Sequence, residues 1–390
     1  MEEVRKVWYC PNKLEAYGDE EIDAVTQCLK DGWLSGWGPR TVEFEKRISE
    51  RFNKKYGLFV NSGSSACLLA LCAIDLKPGD EVITQACGFS TTVAPIIQLG
   101  GTPVFCDVME GGHYVTNVEI LQKAVTPKTR AIMIPNLLGN APDWKSIRES
   151  FPNIILIEDS ADTLPSSWHE HNGFSDISIV SFYSSHVMTA AGGGGMVMFN
   201  SEDWLKKATS YRDWGRSGDN EEATEDRFTF KIDGIPYDQK HLFPVLGYNL
   251  KSCEMNAAFG LVQLSKLDKM LAHRRLLVER YIENLKDCPH YVMPDDSRKP
   301  NWYAIPFLCR NLDRMKLVEY LENNQVQVRL IFAGNMTRHP AFRQYLGDFP
   351  VSDFIMKNGF QVGAHHGMVI KDVDRVCDLL LNFAKLFGYV

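Results

Sequence analysis

Ile177-Ser-Ile-Val-Ser-Phe-Tyr-Ser-Ser-His-Val-Met-Thr189, running on into Gly192-Gly-Gly-Gly195, is the stretch whose reading decides the fold. The apolar, β-branched start, Ile177 to Phe182, predicts a buried strand. It feeds a turn rich in hydroxyls, with Ser181, Ser184, Ser185 and Thr189 around a single histidine, His186. Four glycines follow, and glycine lets a backbone turn tightly and approach a ligand closely. Strand, polar turn and glycine run together read as the floor of a cofactor site.

Upstream, the same strand-to-turn pattern recurs. Tyr56 to Val60 predicts a short buried strand, broken at Asn61-Ser-Gly-Ser-Ser65 and followed by a helical run from Ala66 to Ile74. Free amides and the positive end of a helix dipole converge at such a turn, which makes Gly63 and Ser64 candidates for holding an anion, although turn and N-cap duty alone would also explain them. Further strands are expected at Glu81–Thr84, Val104–Val108, Ala131–Pro135 and Ile154–Glu158, with helical patterns at Val118–Val125 and Trp144–Phe151 between them. This alternation predicts an α/β large domain with a mostly parallel, doubly wound sheet. Phe89 lies in the turn after one strand, and Asp159 and Asp162 end another. Carboxylates at the C-terminal end of a buried parallel strand stand where open α/β sheets bind ligands.

The remaining chain predicts a helix from Glu15 to about Lys30 with a stop at Asp31-Gly32, then an aromatic, glycine-rich loop at Trp33–Pro39. Residues 201–246 are polar and irregular, and Gly218–Asp226 reads as a solvated loop. A long helix runs from Glu254 to Leu277. A smaller α+β part follows, with strands at Trp302–Leu308 and Val326–Phe332 and helices at Leu312–Asn323 and Asp372–Phe387. The division expected is residues 1–250 for the large domain and 251–390 for the smaller one with its linking helix.

The 390 residues, 45% hydrophobic and 23% charged, are enough for two domains with a sizeable core. A formal charge of -7 gives no reason to expect a nucleic-acid or anionic membrane partner, and no apolar run approaches the roughly 20 residues of a membrane helix. A cytoplasmic protein is expected. The ten cysteines form no Cys-x-x-Cys pair, and none lies between Cys106 and Cys253. A metal or iron–sulfur site is therefore disfavoured, and reduced core thiols are the expected state.

Taken in order, these segments resemble the sugar-nucleotide aminotransferases among the fold-type I pyridoxal phosphate enzymes, in which a Ser-Phe-x-x-x-Lys turn precedes a Gly-rich hairpin. Here His186 holds the lysine position, and no lysine occurs between Lys145 and Lys206. The branch with this exchange is that of the nucleotide-linked 4-keto-6-deoxyhexose 3-dehydratases, GDP- and CDP-linked, which also carry an acid where Asp162 stands. The resemblance implies a seven-stranded sheet. It also implies pyridoxamine or pyridoxal phosphate held by Gly63, Ser64, Phe89, Asp159, Asp162 and Ser181, with Asn249 reaching across a homodimer to the neighbour's cofactor phosphate. It places Trp33, Ser35, Gly36, Arg329 and Asn335 on the substrate. The segment Arg329–Arg338 is similar to that of the CDP-sugar enzymes. Some of those carry a cysteine cluster after the segment matching Arg212-Asp-Trp-Gly-Arg216, where this chain has Ser217 and Gly218.

The chemistry so implied needs a base that cannot tether the cofactor. Lysine forms a covalent imine with the aldehyde, whereas histidine cannot hold that stable linkage but takes protons near neutrality. The expected reaction is loss of the C3 hydroxyl from a 4-keto-6-deoxy sugar nucleotide, with His186 as base and L-glutamate restoring the amine form. A sugar 4-aminotransferase, a reductive dehydrase fed by an external electron donor, and a non-catalytic binding protein remain alternatives on sequence alone.

Overall fold

The computed structural model describes residues 5–11, 13–165, 173–217 and 227–388. Its centre is a seven-stranded sheet in the order β1-β7-β6-β5-β4-β2-β3. The strands are β1 (Tyr56–Val60), β2 (Glu81–Gln85), β3 (Thr102–Cys106), β4 (Thr129–Pro135), β5 (Ile155–Asp159), β6 (Ile177–Ser181) and β7 (Gly195–Phe199). Every pairing from β3 to β6 is parallel, and β7 alone runs antiparallel to both neighbours, β6 and β1. β7 lies just past the glycine run; Met196 to Phe199 is apolar and wholly buried, but too short to declare its type by periodicity.

Among the described residues, the α-helices of the first half are α1 (Lys13–Ala16), α2 (Asp19–Asp31), α3 (Pro39–Arg51), α4 (Gly63–Ala73), α5 (Ser90–Gln98), α6 (Val118–Ala124), α7 (Trp144–Ser150) and α8 (Glu202–Arg212). The single helix expected from Glu15 is broken at Gly18, whose N–H donates to Glu21 Oε2 (3.0 Å) and restarts the chain as α2; Gly32 ends it at φ 78°. The stretch 201–246 was expected to be irregular, yet it opens with α8, capped by Ser201. The expected loop Gly218–Asp226 lies outside the described residues. α4 is buried on almost every side, its Ala66, Leu69 and Ala70 packing into the core beneath β6 and β7.

A two-stranded ribbon, β8 (Lys231–Ile232) and β9 (Ile235–Pro236), precedes the 32-residue α9 (Glu254–Leu285), which packs on α2 and α3. The C-terminal sheet has the order β10-β11-β13-β12, all antiparallel: β10 (Tyr291–Val292), β11 (Ile305–Cys309), β12 (Val328–Arg329) and β13 (Gly359–Val362). Helices α10 (Arg314–Asn323), α11 (Pro350–Asn358) and α12 (Ile370–Leu386) cover it.

Three expected strands shift for identifiable reasons. β3 ends at Cys106 because Asp107 turns away to cap α11, accepting from the N–H groups of Val351 and Ser352, both at 2.9 Å. β12 keeps only two of the seven residues expected from Val326 to Phe332. Beyond it the chain bends through Phe332 (φ 39°) and Gly334 (φ 61°), and Ala333 N–H and Met336 N–H reach the carbonyls of Gly88 and Ala86. β11 starts at Ile305 rather than Trp302 because residues 301–303 dock on the turn at Gly139.

Candidate active site

Two turns meet at the C-terminal edge of the sheet. After β1, the Ser62 Oγ accepts the Ser65 N–H (3.1 Å) and caps α4, which leaves the amides of Gly63 and Ser64 without helical partners. After β6, the Thr189 hydroxyl donates to the Phe182 carbonyl (2.9 Å) and accepts from Gly192 N–H (2.9 Å), closing the turn that carries His186. The turns are sewn together by Gly194 N–H to the Asn61 carbonyl (3.1 Å). Glycine is required at the seam: a Cβ on Gly63 would lie 2.7 Å from Ser181 Cβ, and one on Gly195 2.3 Å from the Ser62 carbonyl carbon.

Between them lies a cavity of about 300 Å³. Gly63, Ser64, Phe89, Asp159, Asp162, Ser181 and His186 all line it, although they come from four separate stretches of chain. Phe89 is half exposed, with its ring edge toward Phe332 at 6.1 Å between centroids. Asp159, at the end of β5, is buried. Its Oδ2 accepts from Thr92 Oγ1 (2.7 Å) and Cys67 Sγ (3.7 Å), and its Oδ1 from Ala161 N–H (3.1 Å). Burial raises the carboxyl's pKa, and the three donors oppose that rise by stabilising the charged form. Asp162 has one donor, Leu138 N–H at 3.1 Å; burial pushes its pKa up to about 7, with the neighbouring charge of Asp159 adding to the effect.

The His186 imidazole sits between the rings of Tyr183 (6.2 Å) and Tyr303 (5.5 Å), and its Nδ1 is buried with no protein partner. Burial, with the Arg274 guanidinium as a second cause, pushes its pKa down to about 4. The ring is therefore neutral at physiological pH and can accept a proton. No lysine or arginine lines the cavity among the described residues. Nor do three His, Cys, Asp or Glu side chains gather as metal ligands among them, and all ten cysteines are free thiols.

The other candidates stand elsewhere. Trp33, Ser35 and Gly36 belong to a loop docked on the start of α9: Ser35 pairs with Cys253, and a Cβ on Gly36 would meet the Ser252 carbonyl at 2.9 Å. Trp37 of that loop lies over the buried Arg212, which pairs with Asp213, and Asp213 in turn bridges to the exposed Asn249. Neither Trp33 nor Asn249 lines the cavity. Arg329 lies over the Tyr9 ring (5.6 Å), one aromatic layer behind Tyr303. Asn335 is fully buried, and its side chain is engaged within the chain: Oδ1 accepts from the N–H and hydroxyl of Thr337, and Nδ2 donates to Asp353 at 2.7 Å. In this structure it caps a turn rather than facing the cavity.

Sequence reasoning passed over Cys67, Thr92, Tyr183, Tyr303 and Phe332. Cys67 follows Gly63 by four residues, one helical turn, and Thr92 follows Phe89 by three, so helical spacing alone could have placed both beside the candidates already named. Tyr303 and Phe332 arrive from the C-terminal sheet, and nothing local announces them.

A family model described as the DegT/DnrJ/EryC1/StrS aminotransferase family matches residues 15–381. The chain is 35% identical to the lipopolysaccharide biosynthesis protein RfbH of Salmonella typhimurium, over 97% of this chain and 92% of that one. It is also 35% identical to the dTDP-4-dehydro-2,6-dideoxy-D-glucose 3-dehydratase of Saccharopolyspora spinosa, over 94% and 84%. Among solved structures, the E. coli GDP-4-keto-6-deoxy-D-mannose-3-dehydratase with bound hydrated PLP superposes with a TM-score of 0.85 at 26% identity, covering 96% of this chain and all of that one. A GDP-4-keto-6-deoxymannose-3-dehydratase with a trapped PLP-glutamate geminal diamine gives 0.84 at 25%, with the same coverage.

Proposed function

The chain belongs to the DegT/DnrJ/EryC1/StrS aminotransferase family, and from that membership we propose that it removes the C3 hydroxyl of a nucleotide-linked 4-keto-6-deoxyhexose, with pyridoxamine phosphate as cofactor. One observation carries the reading: a neutral histidine with an unpartnered buried nitrogen, not a lysine, faces the cavity between a helix N-terminus and a buried carboxylate. The 3-dehydratase names of relatives across nearly the whole chain support it.

The residues fit a phosphate-bearing pyridine ring. Gly63 and Ser64 present the free amides of α4 to the phosphate, with Ser181 beside them. Phe89 would cover a ring face, and Asp159, whose charged form the three donors favour against the opposing effect of burial, would pair with the ring nitrogen. Bound there, the ring supplies an electron sink conjugated to the sugar's C4. His186 would take a proton at the cofactor's C4′ carbon and pass it to the departing C3 oxygen, Asp162 would orient the ring from the β5 side, and the aromatic wall of Tyr183, Tyr303 and Phe332 would keep water from the imidazole. The C3 oxygen would leave as water, and hydrolysis would then return oxygen to C4 with release of ammonia, leaving the cofactor as its aldehyde. L-glutamate, the partner trapped in one relative, is the proposed amino donor that restores the cofactor.

The exposed Asn249 and the apolar face around Trp33, Leu34, Phe243 and Leu246 support a homodimer in which Asn249 completes the partner's phosphate site. Residues 1–250 would form the cofactor domain, with 251–390 closing over it. Ten free thiols suit a reducing cytoplasm, and among the described residues no helix is long and apolar enough to cross a membrane. The test is incubation with pyridoxamine phosphate, glutamate and a panel of GDP-, CDP- and dTDP-linked 4-keto-6-deoxy sugars, followed by mass spectrometry. A product lacking one oxygen atom, with hydrogen at C3 and oxygen retained at C4, supports the reading; nitrogen at C4 with the C3 oxygen kept overturns it in favour of amino transfer.

A further inference from the structure

We propose that Tyr303, brought in from the C-terminal half, is the positioning residue of His186, and that the Leu138–Gly139 turn keys it into place. This deepens the reading of His186 as the base and rests on it. The Tyr303 ring lies 5.5 Å from the imidazole at an interplanar angle of 41°, and its hydroxyl donates to Ser185 Oγ, the residue before His186, at 3.1 Å. Two further rings hold the tyrosine, Phe332 stacked at 6.4 Å and Tyr9 edge-on at 5.6 Å. Its backbone is held at both ends of the residue: Tyr303 N–H donates to the Leu138 carbonyl (2.8 Å), and its own carbonyl accepts from Arg274 Nη1 (2.9 Å). A side chain fixed at so many points is a template for its neighbour, not a filler.

The partner turn is built for this contact. Leu138 is fully buried in the left-handed region (φ 59°, ψ 14°), which disfavours any residue with a Cβ. From that conformation its N–H holds Asp162 Oδ2 while its carbonyl holds Tyr303. One strained residue thus ties a carboxyl of the site to the aromatic wall of the base, and strain of this kind persists only where the surroundings over-determine it. Gly139 follows at φ 93°, and a Cβ there would sit 2.1 Å from the Asn301 carbonyl oxygen. The close approach of 301–303 to the large sheet therefore requires glycine.

The consequence is a base whose face is shielded and whose plane is set before any ligand arrives. The charged and titratable groups around the imidazole are Tyr183 on its own turn, Asp159 and Asp162 from the β5 side, Arg274 from α9, and Tyr303, whose hydroxyl is pushed up to about 12 by burial and stays neutral. Of these, Tyr303 supplies a large apolar surface against the ring, so its removal should hydrate the imidazole and raise its pKa toward the ordinary value near ~6.5.

The experiment is a histidine side-chain NMR titration of the cofactor-free, full-length protein, with the His186 signal assigned by its loss in His186→Asn. Tyr303→Ala is expected to raise the His186 pKa by about one unit or more while the other histidines stay in place; Tyr303→Phe, which keeps the ring, is expected to leave it nearly unmoved. If the alanine variant does not fold, Tyr303→Leu carries the same test with a smaller shift in the same direction. A folded Tyr303→Ala or Tyr303→Leu protein with an unmoved His186 pKa overturns the inference. That outcome is separate from the fate of the proposed reaction, because the titration contains neither cofactor nor substrate.

Discussion

The Thr92 hydroxyl donates to Asp159 Oδ2 at 2.7 Å, on the same oxygen that takes the Cys67 thiol at 3.7 Å. Burial favours the protonated acid and raises its pKa, while these donors work against that rise by favouring the charged form that a ring nitrogen would meet. Thr92→Val leaves the shape and removes the stronger donor. Since a hydrogen bond to a charged group contributes about 1.5–3 kcal/mol, pyridoxamine phosphate affinity should fall by roughly tenfold to a hundredfold. Thr92→Ser should recover most of it. Equilibrium titration of cofactor into the two variants makes the comparison, and equal affinity in the valine variant and the wild type would remove Thr92 from the site.

Asp162, with a single donor, is shifted further in the protonated direction and carries a pH signature. Its folded pKa of about 7 lies above the unfolded value near ~3.9, so the folded state holds the proton more tightly. The stabilisation is full below the unfolded pKa and is lost as pH rises through about 7. Asp162→Asn, which resembles the neutral acid at every pH, should therefore gain in Tm relative to the wild type between pH 5 and pH 8. Parallel Tm curves for the two cofactor-free proteins would show that Asp162 is not held neutral.

Much of this was legible in the chain because the site is assembled from strand ends and tight turns. Asn61–Ser65, Phe89, Asp159 and the turn at His186 each follow an apolar run directly, and side chains there must face the C-terminal edge of the sheet. What stayed hidden was long-range. β7 is four buried apolar residues and a glycine, whose direction only pairing with β1 and β6 can decide. Tyr303 and Phe332 reach His186 because the C-terminal sheet docks on the large one, through a glycine whose necessity appears only when Asn301 is seen against it. The surroundings of Asn335 were hidden for a similar reason: the segment folds back on Ala86 and Gly88, and the amide bonds to Thr337 and Asp353 within the chain.

The exposed face outside the cavity leads to an assembly prediction. Leu246 is 95% exposed and Phe243 52%, close in sequence to the exposed Asn249, which does not line its own chain's cavity. Leu246→Glu should shift the protein from dimer to monomer in analytical ultracentrifugation and weaken cofactor binding with it. Asn249→Ala should leave the dimer intact and weaken cofactor binding alone, by up to about tenfold for one lost neutral hydrogen bond. A fully active monomer at working concentration would contradict the composite site.

The most direct test of the central claim is the rate of C3 dehydration by His186→Asn, measured by mass spectrometry on whichever 4-keto-6-deoxy sugar nucleotide the wild type converts. The variant keeps approximate size and a polar tip but cannot take the proton. With pyridoxamine phosphate binding unchanged, formation of the 3-deoxy-4-keto product should fall by about 10²–10⁴-fold, the usual cost of removing a general base. Wild-type dehydration by folded, cofactor-loaded His186→Asn would contradict the assignment of His186 as the base.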